Sequence, residues 1–429
     1  MEALLVNAPV KKKDRHASLA PPLGLLYVTS TLRFAGYSAK IIDFNTNGLD
    51  LDLLKSTVQV LQPKILGISA LTQTFPNAIR IAQAAKEVSP NIVVVMGGPH
   101  PTLMYQEALS EPAVDVVVIG EGEETMLELV NHAVKTGGSQ AEIKGIAYRD
   151  NGVIKVTAER AFIEDPDVLP YPERRLLDLS RYEAPATILS SRGGCPYSCR
   201  YCAVNNIWKG RRRYRNTAKV VDEMLGIVRD GQFKKIVFVD DIFTLKRSYV
   251  YELCGEMKKL GRVPFTWICT TRADLVDESL LIEMRSAGCN GITFGVEAGS
   301  QKMIEYMDKR LSLEQVKRAV RMALDLGMDV DCAFMFPHPQ DTEQTVREQM
   351  RFMKLLADMG AQISLSFTTP LPGTYYYEHI VELGMKLLAK GWDEFDMNHI
   401  IFTTRDLSKE TLDALESEMF HYVGLNRCS

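Results

Sequence analysis

The run Gly193-Gly194-Cys195-Pro196-Tyr197-Ser198-Cys199-Arg200-Tyr201-Cys202 decides how the rest of the chain is read. It spaces its cysteines as C-x3-C-x2-C, so it offers three thiolates to a metal centre and no fourth. Iron–sulfur clusters are ordinarily held by four cysteine thiolates. A cubane held by three leaves one iron open, able to bind and activate a small molecule. Zinc is the plainer alternative, but a structural zinc ion takes four protein ligands, in pairs such as C-x2-C repeated downstream. No second C-x2-C or H-x3-H pair occurs here, and His338 or His379 would complete a zinc site only if folding brought it near. Three buried thiols without metal is the third reading. It fits poorly with a loop flanked by two glycines and a proline.

Composition sets the frame around that loop. The chain has 429 residues, enough for two or three domains with ample core. Its 46% apolar and 24% charged content is ordinary for a globular protein. A formal net charge of -4 gives no bulk argument for a nucleic-acid or membrane partner. The opening Ala3-Leu4-Leu5-Val6 reads as a strand, not a signal peptide. No apolar run approaches the ~18 residues of a membrane helix. The first of the eight cysteines is Cys195, which is no disulfide framework. A reducing cytoplasm is the expected setting, and exposed loop thiols predict oxygen sensitivity.

Outward from the loop, strands and helices alternate in both directions. Downstream, strands are predicted at Thr187–Ser190, Lys235–Val239, Thr266–Cys269, Ile292–Gly295, Val330–Met335 and Ile363–Phe367, with helices such as Ala218–Arg229 and Leu313–Leu326 between them. Six βα units without a closing pair predict a partial (β/α)6 barrel over 186–375, with the cysteine loop at its C-terminal mouth. Upstream, strands are predicted at Ala3–Val6, Ser38–Asp43, Ile65–Ser69, Ile92–Met96 and Val114–Ile119, and helices at Leu23–Phe34, Leu51–Leu61, Pro76–Val88 and Leu103–Leu109. Fully apolar strands such as Ile92–Met96 belong to a parallel sheet covered on both faces. The expectation is an α/β fold: a doubly wound, five-stranded, Rossmann-like domain over 1–145, with ligands bound beyond the carboxyl ends of its strands. Residues 146–185 read as a separate hairpin, turning at Asp150-Asn151-Gly152, and a linker. Residues 376–429 read as a small helical C-terminal region carrying Trp392, Tyr422 and Cys428. The basic run Lys209–Arg215 reads as a solvated loop, or as a holder for an anionic substrate group.

A C-x3-C-x2-C loop after the first strand of a six-unit half barrel resembles the radical SAM superfamily. Tyr201, Phe238-Val239-Asp240-Asp241-Ile242-Phe243-Thr244 and Phe294-Gly295-Val296-Glu297-Ala298-Gly299-Ser300 fit that pattern. Gly97-Gly98-Pro99-His100-Pro101-Thr102 and Val118-Ile119-Gly120-Glu121-Gly122-Glu123-Glu124-Thr125 resemble the subgroup with a cobalamin-binding domain. The resemblance implies a [4Fe-4S] cluster on Cys195, Cys199 and Cys202, whose open iron chelates S-adenosylmethionine (SAM). One electron then splits the sulfonium into methionine and a 5′-deoxyadenosyl radical. It implies SAM contacts from Tyr201 (adenine), Asp240 or Asp241 (the ammonium), Arg272 (a carboxylate) and Glu297 (ribose hydroxyls). The bland reading of these carboxylates is helix capping, and of Arg272 a surface ion pair.

For cobalamin, the resemblance points to Ser69, Thr72, Gly97, Gly98, Pro99, His100, Gly120, Glu121 and Gly122. The glycines let backbone approach a flat macrocycle, or are plain tight turns. Asp-x-His-x-x-Gly, the lower-axial histidine motif of one cobalamin fold, is absent, and His16, His100 and His132 lack its spacing. The implied activity is a methyltransferase acting on an unactivated carbon through the 5′-deoxyadenosyl radical and methylcobalamin. The alternatives are a cobalamin-dependent cyclase or rearrangement enzyme, and a non-enzymatic cobalamin carrier or sensor. A domain that has lost cobalamin and only positions substrate is also open. Methylthiotransferases are disfavoured because no cysteine precedes Cys195, and an auxiliary cluster because only Cys332 and Cys428 follow residue 300. The implied partners are a small-molecule or natural-product substrate and a one-electron reductant such as flavodoxin or ferredoxin, without nucleic acid. Phe334–Pro339 and Leu371–Tyr377 are expected to edge the mouth, as an apolar or aromatic wall or as ordinary packing. Pro337-His338-Pro339 stands where related sequences often have Gly-x-Pro, and His338 reads as a turn histidine or a proton handler.

Overall fold

The structure, a computed structural model, describes residues 1–10, 19–134, 139–184, 186–231 and 233–424. His16 and Cys428 fall outside them. The chain divides into two compact units between Ala184 and Ala186, and the short segment Gly391–Glu394 belongs to the first.

The first unit is built on a seven-stranded sheet. Strands β1 (Ala3–Asn7), β2 (Ala39–Asp43), β3 (Ile65–Ser69), β4 (Val93–Gly97) and β5 (Val116–Val118) run parallel in the order β2-β1-β3-β4-β5. This is a doubly wound order in which ligands bind at the carboxyl ends of the strands. Alternation along β1 shows why both faces are apolar. Leu4 and Val6 join the core shared with helices Leu51–Leu61 and Phe75–Val88, while Ala3 and Leu5 join Leu32, Met126 and Leu129 on the other face. Helix Leu51–Leu61 starts where Asp50 accepts from the Leu53 amide at 2.8 Å.

Two expectations for this unit are corrected. The hairpin of 146–185 is not separate from the sheet. Its strands β6 (Ile146–Asp150) and β7 (Val153–Val156) continue it antiparallel beyond β5, because Ile146 and Ala147 are apolar on opposite faces and extend both cores. The segment after it is no free linker either. Ile163 N donates to Glu121 at 2.8 Å, Glu173 N to Ser30 Oγ at 2.8 Å, and Tyr182 Oη to Asp43 at 2.8 Å. A helix over Glu123–Val134, absent from the predicted helices, packs against helix Leu23–Phe34.

The second unit holds six parallel strands in consecutive order: β8 (Thr187–Ile188), β11 (Lys235–Phe238), β12 (Thr266–Thr271), β13 (Cys289–Glu297), β14 (Asp329–Phe336) and β15 (Gln362–Phe367). Between β8 and β11 lies a short antiparallel pair, β9 (Ser191–Gly193) and β10 (Arg212–Tyr214), whose connection carries the three cysteines. Phe238, Phe243 and Trp267 pack ring to ring in the core, and the buried Cys254, Cys269, Cys289 and Cys332 are apolar filling there. Helices Leu313–Asp325 and Glu343–Asp358 open with capping boxes at Ser312 and Thr342.

Two more readings change here. The described residues 376–424 are only partly helical, with one short antiparallel pair (Lys386–Leu387 with Phe402–Thr403) and a single long helix, Lys409–Val423. The basic run is a solvated loop only at its start, where Lys209, Gly210 and Arg211 are exposed. Arg213 and Arg215 are buried, Arg215 against Glu223 at 2.6 Å, and Arg212 reaches Asp240 at 3.5 Å. Among the described residues no helix is long and apolar enough to cross a membrane.

Candidate active site

The cysteine loop is shaped by backbone contact. Gly193 has φ +102°, and a Cβ there would come within 2.1 Å of the Arg211 carbonyl oxygen. Gly194 N donates to that same oxygen at 2.7 Å, and a Cβ on Gly194 would meet Gly210 Cα at 3.0 Å. The two glycines therefore let the β9–β10 pair close at the root of the loop. Further out, Asn205 Nδ2 donates to Tyr197 O at 2.6 Å, Arg200 N to Met307 O at 3.1 Å, and Tyr376 N to Arg200 O at 3.2 Å. Cys195, Cys199 and Cys202 are free thiols, none buried, within electrostatic reach of one another. Among the described residues no three His, Cys, Asp or Glu side chains converge as on a single metal ion. Three thiols and no fourth, in one loop at C-x3-C-x2-C spacing, form a donor set that fits a cluster with one open position.

Every SAM contact expected on the strands lies at a C-terminal strand end, where barrel chemistry is found. Asp240 and Asp241 follow β11, and their side chains do different things. Asp240 is buried and accepts from Ser190 N at 2.9 Å, from Ser190 Oγ at 3.0 Å, from Ser191 Oγ and from Arg212. Asp241 reaches solvent, yet surrounding protein desolvates it enough to push its carboxyl above the usual range. Its charge is felt at both Cys195 and Cys202. Arg272 follows β12, holds Asp274 at 2.9 Å, donates to the carbonyls of Lys309 and Arg310, and stacks 3.8 Å over the Tyr197 ring. Glu297 ends β13 at φ +71°, beside an irregularity in the β13–β14 register. Its Oε1 takes a 2.8 Å hydrogen bond from Lys309, which also donates to Tyr201 Oη at 3.1 Å. His338, expected as a turn histidine or proton handler, is fully buried between Asp341, the Glu297 carbonyl and Tyr376, and burial lowers its pKa. Lys309 was invisible to motif reading, because it comes 12 residues after Glu297 in a turn with no signature.

In the first unit, Ser69, Gly97, Gly98, Pro99 and Gly120 gather at the carboxyl ends of β3, β4 and β5. Gly98 (φ +102°) lies against Ala70, whose oxygen a Cβ would meet at 2.7 Å. Gly120 (φ +85°) faces open space, with no atom within 4 Å of a Cβ position. The open space at Gly120 fits close approach by a flat macrocycle, whereas Gly98 is required by its own tight turn. Gly122 lies against Val28. Three side chains turn inward instead. Glu121 accepts from Ile163 N. Thr72 pairs with His100 Nδ1 at 3.3 Å. His100 packs between Phe75 and Trp392, with ring centroids 4.4 and 5.1 Å away, and its Nε2 is 3.8 Å from Glu107. Burial drops its pKa to about 4, so it is neutral at pH 7.

Comparison with known proteins fits this geometry. The B12 binding domain model matches residues 15–130 and the Radical SAM superfamily model residues 189–353. An anaerobic magnesium-protoporphyrin IX monomethyl ester cyclase of Rubrivivax gelatinosus is 31% identical over 92% of this chain and 71% of its own. The chain belongs to the radical SAM superfamily, in the group carrying a B12-binding domain. Its cofactors are accordingly a [4Fe-4S] cluster, SAM and cobalamin. An uncharacterized methyltransferase of Pyrococcus horikoshii is 29% identical over 97% of this chain and 90% of its own. The radical SAM methyltransferase TsrM of Kitasatospora setae, solved with cobalamin and a [4Fe-4S] cluster, shares the fold. Its TM-score is 0.78 at 18% identity, over 98% of this chain and 89% of that one.

Proposed function

We propose that this radical SAM enzyme is a methyltransferase that places a methyl group on an unactivated carbon of a small molecule. The observation that carries the reading is a three-thiol loop at the mouth of a six-stranded half barrel, in one chain with a glycine-edged B12-type sheet. The relatives named as methyltransferases support it. When bound, the cluster supplies the electron that splits the SAM sulfonium, and cobalamin supplies the transferable methyl group.

The chain's residues then divide the work. Cys195, Cys199 and Cys202 hold three irons. Asp241 receives the SAM ammonium, while Asp240 holds the strand end beneath it through Ser190 and Ser191. Glu297 has Oε1 on Lys309 and offers Oε2 to the ribose hydroxyls. Tyr201 flanks the adenine side, and Arg272 fixes the wall through Asp274 and Tyr197. Ser69, Gly97, Gly98 and Gly120 give the corrin a flat approach, with Thr72, His100 and Glu121 as internal braces behind them. A flavodoxin or ferredoxin supplies the electron, in the cytoplasm. A cobalamin-dependent cyclisation is the second reading, favoured by the match to the ester cyclase.

The test is anaerobic reconstitution with iron, sulfide and hydroxocobalamin, followed by labelled SAM and a low-potential reductant. Methyl transfer predicts cobalamin-dependent release of S-adenosylhomocysteine. Release of methionine and 5′-deoxyadenosine alone would contradict it and favour cyclisation.

A further inference from the structure

Lys309 is 3% exposed, and its charge is built into the second unit from several sides. An ammonium taken out of water needs a close counter-charge and satisfied donors. Here Nζ donates to Glu297 Oε1 at 2.8 Å and to Tyr201 Oη at 3.1 Å. The turn carrying it is held in left-handed conformations at Asp308 (φ +53°) and Arg310 (φ +52°). Three of its carbonyls are engaged nearby: Met307 O by Arg200 N at 3.1 Å, and Lys309 O and Arg310 O by Arg272 at 2.7 and 3.2 Å. On the opposite side, a Cβ at Gly295 would come 2.7 Å from Glu297 Oε1 and 3.3 Å from Lys309 Nζ, so the glycine leaves the pair its space. The Glu297 backbone is itself strained at φ +71° and is braced at its carbonyl by His338 at 3.4 Å. Backbone strain of this kind persists only where the surroundings over-determine it, and it concentrates at functional sites.

Stability alone does not explain the arrangement. A buried ion pair is commonly no more stable than apolar residues of the same volume. What an apolar pair would lose is the link from Glu297 to Tyr201, which directly precedes Cys202 in the loop. We propose that Lys309 is a positioning residue that couples the nucleoside end of bound SAM to the cluster loop. The inference rests on the proposed roles of Glu297 and the three cysteines. Lys309 aims Glu297 at the ribose and keeps a positive charge on Tyr201, inside the cysteine loop. Net charge and hydrogen bonding near a cluster set its potential.

The test is SAM titration calorimetry on the anaerobically reconstituted protein, with an EPR-monitored redox titration of its cluster. Lys309→Met is expected to raise the SAM Kd tenfold or more, and Lys309→Arg to restore it to within threefold. Because Lys309 acts through Glu297, Lys309→Met adds nothing to the Kd of Glu297→Gln. Loss of the ammonium is also expected to cut the reduced fraction at a fixed potential about tenfold, a shift of ~59 mV for one electron. A wild-type Kd in Lys309→Met, losses that multiply with Glu297→Gln, or an unmoved potential would each overturn the proposal. If Lys309→Met does not fold, the double variant, which removes both buried charges, takes its place. A Kd matching Glu297→Gln alone then supports the proposal, and one tenfold weaker overturns it. Wild-type protein that loads iron but binds no SAM would instead sink the proposed function, and that result needs no variant.

Discussion

The neighbouring carboxylates Asp240 and Asp241 should respond oppositely to removal. Asp240 accepts four hydrogen bonds inside the second unit, one from Arg212, whose side chain is 6% exposed. Asp240→Ala leaves that guanidinium without its hydrogen-bonded carboxylate, with only the more exposed Asp241 still within electrostatic reach. Breaking a buried pair in this way costs about 3–5 kcal/mol. For a unit of this size each kcal/mol moves the midpoint by about 2–4 °C, so Tm should fall by roughly 10 °C. Asp241 is solvent-accessible, and desolvation raises its pKa in the folded state. Its ionised form is therefore slightly unfavourable in the fold at neutral pH, and Asp241→Ala should change stability by less than about 0.5 kcal/mol. Its effect is expected on SAM instead. Loss of a charge-assisted hydrogen bond, about 1.5–3 kcal/mol, weakens binding by roughly ten- to a hundredfold. Anaerobic thermal unfolding followed by circular dichroism, with SAM calorimetry on the reconstituted protein, reads both effects. Asp240→Ala unfolding at the wild-type temperature, or Asp241→Ala losing more stability than Asp240→Ala, would refute the division of roles.

Three further outcomes follow from the geometry. His100 has its pKa lowered by burial from 6.5 to about 4, so the fold favours its neutral form. The stability this confers is complete above pH 6.5 and is lost as pH falls towards 4, by about 3 kcal/mol in all; urea midpoints against pH should flatten in His100→Gln. Gly193→Ala puts a Cβ 2.1 Å from the Arg211 oxygen at φ +102°. The conformation alone costs about 1–2 kcal/mol, so the β9–β10 pair should open and iron bound per chain after reconstitution should fall. Cys199→Ala should lose the cluster absorbance, whereas Cys332→Ala, in the barrel core, should keep it.

Much of this was readable in advance, for local reasons. Continuous apolar strands such as β4 announce a sheet covered on both faces, and three cysteines at fixed spacing announce their own chemistry. What escaped the sequence depends on pairing across long separations. The hairpin was legible as a hairpin, but Val116 pairing with Tyr148 is not written near either residue. Arg213 and Arg215 read as surface charge because a charge run hides alternation, and only the β9–β10 pairing turns them inward. Trp392 gave no sign that it would cover His100. Motif reading set Asp240 and Asp241 side by side, and only the positions of Ser190, Ser191 and Arg212 separate a buried brace from an accessible carboxylate. Lys309 was hidden most completely, since its meaning comes from two partners, Tyr201 and Glu297, on different elements.

The central claim is that the loop thiolates carry a cluster able to cleave SAM reductively. It is tested most directly by incubating anaerobically reconstituted protein with SAM and dithionite and quantifying 5′-deoxyadenosine by mass spectrometry. The account predicts that wild-type protein forms it and that Cys195→Ala, Cys199→Ala and Cys202→Ala do not. Wild-type protein loaded with iron and sulfide that leaves SAM intact, or a cysteine variant that cleaves it as fast, would contradict the account.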